Sequence, residues 1–138
     1  MTFNEMRKEI ERIFNEYRRH KYYTLFITDY NTSITSTIDK VGGGRSNKTS
    51  DKVGDAAIKI MDEKEEAKRY VEVVERAVEQ LPEIERELIR LRYMSRNHDY
   101  ITDYTVYEVK MHVSDKTFRK IRHQAFMKLY NMLYDFIP

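Results

Sequence analysis

The chain has 138 residues, of which 41% are hydrophobic and 35% charged, with a formal net charge of +2 and no cysteine. This length fits one domain or a small domain with a helical extension, and the composition is too apolar for a disordered chain. The lack of cysteine excludes disulfides, thiol nucleophiles and thiolate metal sites, and it fits a reducing cytosol. Since no apolar run approaches the roughly 18–20 residues that cross a bilayer and the charged start lacks a signal-peptide core, we expect a cytoplasmic protein without a membrane partner.

Charge is unevenly distributed along the chain. Residues 61–87 contain ten acidic and five basic side chains, whereas residues 116–128 contain five basic and no acidic ones. Although the net charge is small, residues 116–128 should therefore produce a local positive field that can attract a phosphate backbone.

The first forty residues have a helical pattern. Apolar side chains recur every three or four positions over residues 3–20, which predicts a helix. Residues 21–41 are rich in strand-favouring types, but their apolar residues also keep helical spacing. We interpret this segment as helix because no second strand is available to pair with it.

A glycine-rich segment at residues 42–50 predicts a loop, followed by a long helix over residues 51–81 with Ser50 as its N-cap. The inner positions of this helix follow a heptad pattern for about four repeats. The stripe can pack on helices of its own chain or form a seam between two chains, and we favour a homodimer. Its members are Val53, Ala57, Ile60, Lys64, Ala67, Val71, Val74, Val78 and Leu81.

Three more helices are predicted towards the C-terminus. Pro82 suits the first turn of a helix over residues 82–94, whose buried stripe is expected to be Ile84, Leu88 and Leu91. A polar loop at residues 95–100 leads to a helix over residues 103–112, with Asp103 as a possible cap.

The last helix is expected to begin after Ser114, which can cap it, and to end near residue 135. Its core face is predicted to contain Phe118, Ile121, Ala125, Leu129, Met132 and Phe136. Its basic face is predicted to contain Lys116, Arg119, Lys120 and His123.

The last two helices fit a helix-turn-helix. This motif needs a short helix, a tight turn with one apolar residue, and a second helix that buries one stripe while offering polar side chains to the DNA major groove. Tyr104, Tyr107 and Met111 are predicted to form the buried side of the first helix, with Val113 as the apolar residue of the turn.

Residues at the start of the second helix are expected to reach base edges. Lysine and arginine can donate to guanine O6 and N7, and Asp115 can accept from a cytosine amino group. Further along, Arg122, His123 and Lys128 are expected to contact phosphates. The predicted DNA-binding set is Ser114, Asp115, Lys116, Thr117, Arg119, Lys120, Arg122, His123 and Lys128.

Two segments resemble region four of bacterial sigma factors. LPEIERELIRLRY at residues 81–93 resembles its opening helix, and VSDKTFRKIRHQAFMKL at residues 113–129 resembles its recognition helix. The resemblance spans about residues 70–135 and implies reading of promoter −35 elements in the major groove and contact with the RNA polymerase of the host. This chain departs from the usual motif in two ways: His112 stands where many such turns carry glycine, and the first helix runs one residue longer at residues 108–110.

A narrower resemblance is to the ArpU/RinA-like phage regulators of late-gene transcription. It is carried by GGRS at residues 43–46, TSDKV at residues 49–53 and DYTVY at residues 103–107. It implies an activator of late operons, encoded in phages or prophages and acting in the bacterial cytoplasm.

We therefore expect an all-α transcription regulator that binds double-stranded DNA and is not an enzyme. Residues 1–50 form a helical N-terminal section with the linker, and residues 51–138 form the long helix and the helix-turn-helix unit. No cofactor, metal or small-molecule substrate is expected, because residues 42–49 lack the second glycine of a phosphate-binding loop and the four histidines lack paired ligand spacing. The alternatives are a phage DNA-packaging protein like a small terminase subunit and a helical interaction protein that does not bind DNA.

Overall fold

A computed structural model of the chain describes residues 2–41 and 47–136, with side chains described for residues 2–23, 25–26 and 62–136. These residues form helices and no strands, which confirms the all-α class. None of the described helices is long and apolar enough to span a membrane. The α-helices are α1 (Phe3–Val41), α2 (Asn47–Glu79), α3 (Glu83–Tyr93) and α4 (Asp115–Leu133), and a 3₁₀ turn (His98–Tyr100) and a π-helix (Thr105–Lys110) lie between α3 and α4.

Helix α1 begins with a capping box. The Thr2 hydroxyl accepts a hydrogen bond from the backbone N–H of Glu5 at 3.3 Å, and the Glu5 carboxylate accepts one from the N–H of Thr2 at 3.2 Å. These reciprocal bonds satisfy amide donors that have no partner within the first turn. The helix then continues to Val41, so the interpretation of residues 21–41 as helix is confirmed.

Helix α2 begins earlier than the sequence predicts. The predicted loop over residues 42–46 lies outside the described residues, but residues 47–50 are helical. The loop prediction is therefore wrong for residues 47–50, and Ser50 is not the N-cap. Extending an existing helix adds one hydrogen bond for each residue fixed, which favours helix over loop in these residues. At the other end, the N–H of Leu81 bonds to the carbonyl of Val78 at 3.0 Å. This tighter turn ends the helix before Pro82, which disfavours the α conformation in the residue preceding it.

Helices α1 and α2 pack as an antiparallel pair. The Tyr17 hydroxyl donates to Glu75 at 2.8 Å, and the Tyr23 hydroxyl donates to Glu63 at 2.8 Å. Burial raises the pKa of Tyr17 to about 12, so this phenol remains a hydrogen-bond donor at neutral pH. Both contacts connect α1 to α2.

The heptad stripe of α2 packs within its own chain over its described part. Ala67, Val74, Val78 and Leu81 are buried, and α2 packs against α1. The side chains at positions 53, 57 and 60 lie outside the described residues. The described part of the stripe thus has the intrachain role, and the homodimer stays a prediction.

Helix α3 buries a different stripe from the predicted one. Ile84 is 46% exposed, so its predicted burial is wrong, whereas Glu85 is 4% exposed. Leu88 is buried as predicted. Pro82 is the N-cap rather than the first helical residue, and the buried stripe begins at Glu85 because that carboxylate bonds to Lys128 of α4.

One hydrophobic cluster joins all the helices. It includes Ile10, Phe14, Val78, Tyr93 and Phe126, so the start of α1 shares its core with α2, α3 and α4. Burying each large apolar side chain of this kind stabilises the fold by about 1.5–3 kcal/mol. The predicted boundary at residue 50 stays a prediction, but the described core draws on both sides of it.

Helix α4 buries the predicted stripe for most of its length. Phe118, Ile121, Ala125 and Leu129 are buried. Phe136 is 73% exposed, so its predicted place in the core is wrong. Because α4 ends at Leu133, residue 136 no longer follows the helical register, and Leu133 is the last buried residue of α4.

Candidate nucleic-acid interface

A π-helix forms the first helix of the predicted helix-turn-helix. The N–H of Met111 bonds to the carbonyl of Val106 at 2.8 Å, five residues back. The N–H of Val113 bonds to the carbonyl of Tyr107, also at 2.8 Å and six residues back. Both bonds span one residue more than the equivalent bonds at an α-helix C-terminus. The extra residue seen in the sequence at positions 108–110 is therefore absorbed by the wider turn.

Residues 103–104 are already helical ahead of the π-helix, so the N-cap of the whole helical segment is Thr102 rather than the predicted Asp103. The Thr102 hydroxyl accepts from the N–H of Thr105 at 3.2 Å. Asp103 cannot serve as the cap because its carboxylate is engaged by Arg92 and Arg122.

The wider π-helical turn changes which side chains are buried. Val106 is fully buried, whereas Tyr104 is 59% exposed, so the predicted burial of Tyr104 is wrong. Tyr107 and Met111 are partly buried. The ring of Tyr107 lies 5.6 Å from that of Phe118, which packs the first helix of the motif against the second.

The turn between the two helices has a left-handed residue. His112 has φ of 56°, the conformation that glycine adopts without steric cost and that other residues adopt at a cost. The turn thus has the geometry of motifs that carry glycine at this place. Val113 follows and is partly buried against the core, as predicted.

Helix α4 begins at a capped residue. The Ser114 hydroxyl accepts a hydrogen bond from the N–H of Thr117 at 3.1 Å, which confirms Ser114 as the N-cap. The same hydroxyl donates to the Thr117 hydroxyl at 2.9 Å. These bonds fix the first turn, from which the candidate DNA-contacting side chains extend.

Three cations lie on the exposed side of this N-terminal part. Lys116, Arg119 and Lys120 are all exposed. Arg119 is held by Asp115, to which its Nε donates at 3.1 Å. Exposed Gln124 lies one turn beyond Lys120 and was missed in the sequence, although its spacing of four residues from Lys120 places it on the same face. The helix therefore offers donors and acceptors that match those of base edges.

Arg122 does not lie on this open face. It is 6% exposed, and its guanidinium donates to Asp103 at 2.9 Å and lies 5.2 Å from the centre of the Phe118 ring. The side chain is enclosed against the start of the π-helix and is not part of the open face, and its predicted phosphate contact stays a prediction.

Asp103 is the centre of a three-residue ionic cluster. It accepts from Arg92 of α3 at 2.6 Å and from Arg122 of α4 at 2.9 Å. Burial acts to raise the pKa of Asp103, but the hydrogen bonds and positive charges of the two arginines outweigh it and lower the pKa. The cluster fixes the start of the π-helix against the helices on both sides of it.

Lys128 also has a partner within the protein. Its Nζ donates to the buried carboxylate of Glu85 at 2.7 Å. The other carboxylate oxygen of Glu85 is buried and has no hydrogen-bond partner among the described residues. Lys128 therefore compensates a buried charge, and its predicted phosphate contact would have to use the remaining N–H donors of the same ammonium group.

His123 lies at the border between the open face and α1. Its ring lies 4.4 Å from that of Phe3 in an edge-on arrangement, and it is partly buried. The start of α1 thus covers the His123 side of the predicted basic face. The side that carries Lys116 and Lys120 remains open.

Comparisons with known proteins give a phage context. No family model matches the chain, and no solved structure matches it. The chain is similar to an uncharacterized phage-related protein of Listeria innocua serovar 6a, with 28% identity over 96 residues that make up 70% of this chain and 64% of that protein. The chain thus covers less than two thirds of this relative's length. Among the described residues, no group of three or more histidine or acidic side chains is placed to hold a metal ion.

Proposed function

We propose that the protein binds duplex DNA sequence-specifically through α4 and regulates transcription in a phage or prophage. The observation that carries the proposal is the exposure of Lys116, Arg119 and Lys120 on the first turns of a helix whose opposite side is buried. The helix follows a tight turn with its apolar residue, Val113, packed beneath it.

The geometry suits the major groove of DNA. The groove is about 12 Å wide and admits an α-helix. Lys116 and Lys120, one turn apart, supply positive charge towards phosphates or guanine edges, and Gln124 supplies the amide that pairs with adenine. Asp115 and Arg119 present a carboxylate beside a guanidinium, a pair that matches a cytosine next to a guanine.

The proposal extends to late-gene activation beside the host RNA polymerase. This finer function rests on the resemblance of residues 43–53 and 103–107 to ArpU/RinA-like regulators and of residues 81–129 to sigma region four. The phage-related relative supports the genetic context. Activation by the protein would be measured with a reporter under a phage late promoter in a bacterial host.

DNA binding is tested by capture of phage genome fragments on the purified protein, followed by sequencing. The affinity for the recovered duplex is then measured by fluorescence anisotropy for the wild type, Lys120→Ala and Lys68→Ala. Lys68 is an exposed lysine of α2 and provides a matched loss of charge. We expect Lys120→Ala to weaken binding by about 1–3 kcal/mol and Lys68→Ala to change it little.

Two results would count against the proposal. One is the absence of any enriched fragment, which is what a helical interaction protein without a nucleic-acid role predicts. The other is an equal loss of affinity in both variants. The packaging alternative is separated by light scattering in solution, because a small terminase-like protein forms a ring of many copies whereas the proposed regulator forms a homodimer.

A further inference from the structure

A polar cavity separates α1 from the segment that joins α3 to the π-helix. Its volume is about 210 Å³, which exceeds the roughly 30 Å³ that one water molecule takes up in the liquid. It lies apart from the open face of α4. The charged and imidazole groups that line it are Arg7, Glu11, Arg18, Arg92, His98 and Asp103.

The lining has an excess of positive charge. Three guanidinium groups face two carboxylates, and both carboxylates are already paired. Glu11 accepts from Arg7 within α1 at 3.0 Å, and Asp103 is shared by Arg92 and the buried Arg122. The two carboxylates of the lining therefore do not balance its three guanidinium groups, and the charge of Asp99, outside the lining, acts on Arg18.

The guanidinium groups also have spare hydrogen-bond donors. Each guanidinium carries five N–H donors. In the described residues, Arg7 donates to Glu11, while Arg18 donates to the Tyr93 carbonyl and to Asn15. Burial is the main cause that lowers the pKa of Arg18; Asp99 opposes this effect and the charge of Arg92 adds to it. A bound anion would reduce the repulsion between these two arginines.

We infer that this cavity binds a phosphate group, held between Arg7 and Arg18 of α1 and Arg92 at the end of α3. Arginine suits this ligand because its planar fork donates two parallel hydrogen bonds to phosphate oxygens. His98 contributes a ring that is fixed in place, since its Nδ1 lies 2.9 Å from the Arg92 carbonyl oxygen. The phosphate can come from a free small anion or from the backbone of bound DNA, and either would connect α1 to the helix-turn-helix unit.

The test is calorimetric titration of the full chain with inorganic phosphate at constant ionic strength, set with sodium chloride. We expect one saturable site per chain. Arg7→Met and Arg18→Met should each weaken phosphate binding by about tenfold or more, the loss typical of a hydrogen bond to a charged group. Arg19→Met is the matched control, because Arg19 is exposed and pairs with Glu16 on the same helix.

The absence of saturable phosphate binding to the wild type would overturn the inference, as would an equal loss in Arg19→Met. Arg7→Met keeps the test decisive if Arg18→Met fails to fold, because Arg7 bonds only within α1 among the described contacts. The affinity for the recovered duplex distinguishes the two sources of the phosphate, a free anion and the DNA backbone. A DNA phosphate in the cavity predicts weaker duplex binding by Arg7→Met, whereas a free anion predicts unchanged duplex binding. If the chain bound no duplex, the proposed function would fail, but the titration with inorganic phosphate would still test the cavity.

Discussion

Arg122 of α4 donates a hydrogen bond to Asp103 at the start of the π-helix across 2.9 Å, in an environment that leaves Arg122 only 6% exposed. Asp103 also accepts from Arg92 of α3. The angle at which α4 presents Lys116 and Lys120 is therefore set partly by an ionic cluster and not only by the hydrophobic core. Arg122, which the sequence predicts as a phosphate contact, is in the structure a buried group that joins α4 to the start of the π-helix.

Replacing Asp103 by Asn should destabilise the protein. The amide keeps one acceptor but removes the charge that compensates Arg122, and we expect a loss of about 1–3 kcal/mol in the free energy of unfolding, measured with urea. Asp62→Asn is the matched control, because Asp62 is exposed on α2. Equal stability of the two variants would contradict a structural role for the cluster.

The effect of Asp103→Asn should also depend on pH. The folded pKa of Asp103 lies below its ordinary value of 3.8, so the carboxylate stabilises the fold above that value and ceases to do so as the pH falls through the lowered pKa. The stability difference between wild type and variant should be constant near neutrality and shrink in acid. A difference that grows in acid would have the wrong sign.

The sequence predicts the class, the helices and the capped start of α4 because these depend on local spacing and on short-range hydrogen bonds. Ser114 and the stripe from Phe118 to Leu129 are examples. The sequence does not predict the ion pairs of Arg122, Lys128 and Glu85, because their positions on α3 and α4 are compatible with either solvent exposure or a partner within the protein. Only the approach of α3 to α4 decides that Glu85 is buried and that Lys128 compensates it.

Replacing Lys128 by Met should reduce stability more than DNA affinity. The carboxylate of Glu85 would remain buried without its partner, and we expect a loss of about 1–3 kcal/mol in the free energy of unfolding. Adding Glu85→Met to this variant should recover most of the loss, because two apolar side chains can replace a buried ion pair at little cost. A variant with unchanged stability and much weaker duplex binding would instead support a phosphate contact by Lys128.

Replacing His112 by Gly should stabilise the protein. The residue is exposed and has φ of 56°, so glycine removes a steric cost while losing little packing. Glycine also raises the entropy of the unfolded chain, which offsets part of this effect. We therefore expect the free energy of unfolding to rise by roughly 0.5–1 kcal/mol. His112→Ala is the control and should show no gain. Equal midpoints of urea unfolding for the wild type and the glycine variant would contradict the expectation.

Replacing Asp115 by Asn should lower the discrimination between DNA sequences. The Asp115 carboxylate accepts a hydrogen bond from Arg119. It repels DNA phosphates unless it accepts a hydrogen bond from a cytosine amino group. The variant should bind unrelated duplexes more tightly, so the ratio of its affinity for the recovered duplex to its affinity for an unrelated duplex should be smaller. Its stability should change by less than about 1 kcal/mol, since exposed ion pairs contribute little. Asp135→Asn, beyond the C-terminal end of α4, makes the same charge change, and a similar effect of this variant on the affinity ratio would attribute the change to net charge alone.

Deleting Val109 should convert the π-helix into an α-helix without unfolding the protein. The N–H of Met111 bonds to Val106 five residues back, and the N–H of Val113 bonds to Tyr107 six residues back. Loss of one residue shortens both spans to those of a regular α-helix C-terminus. Val109 is exposed, so we expect stability within about 1 kcal/mol of the wild type, measured by urea unfolding. Deletion of Arg90, an exposed residue within regular α3, provides the comparison. It should cost at least roughly 3 kcal/mol, because it rotates the aromatic side chain of Tyr93 out of the core. If deleting Val109 proved as damaging as deleting Arg90, the wide turn would be a requirement of the fold and not an inserted residue that the fold tolerates.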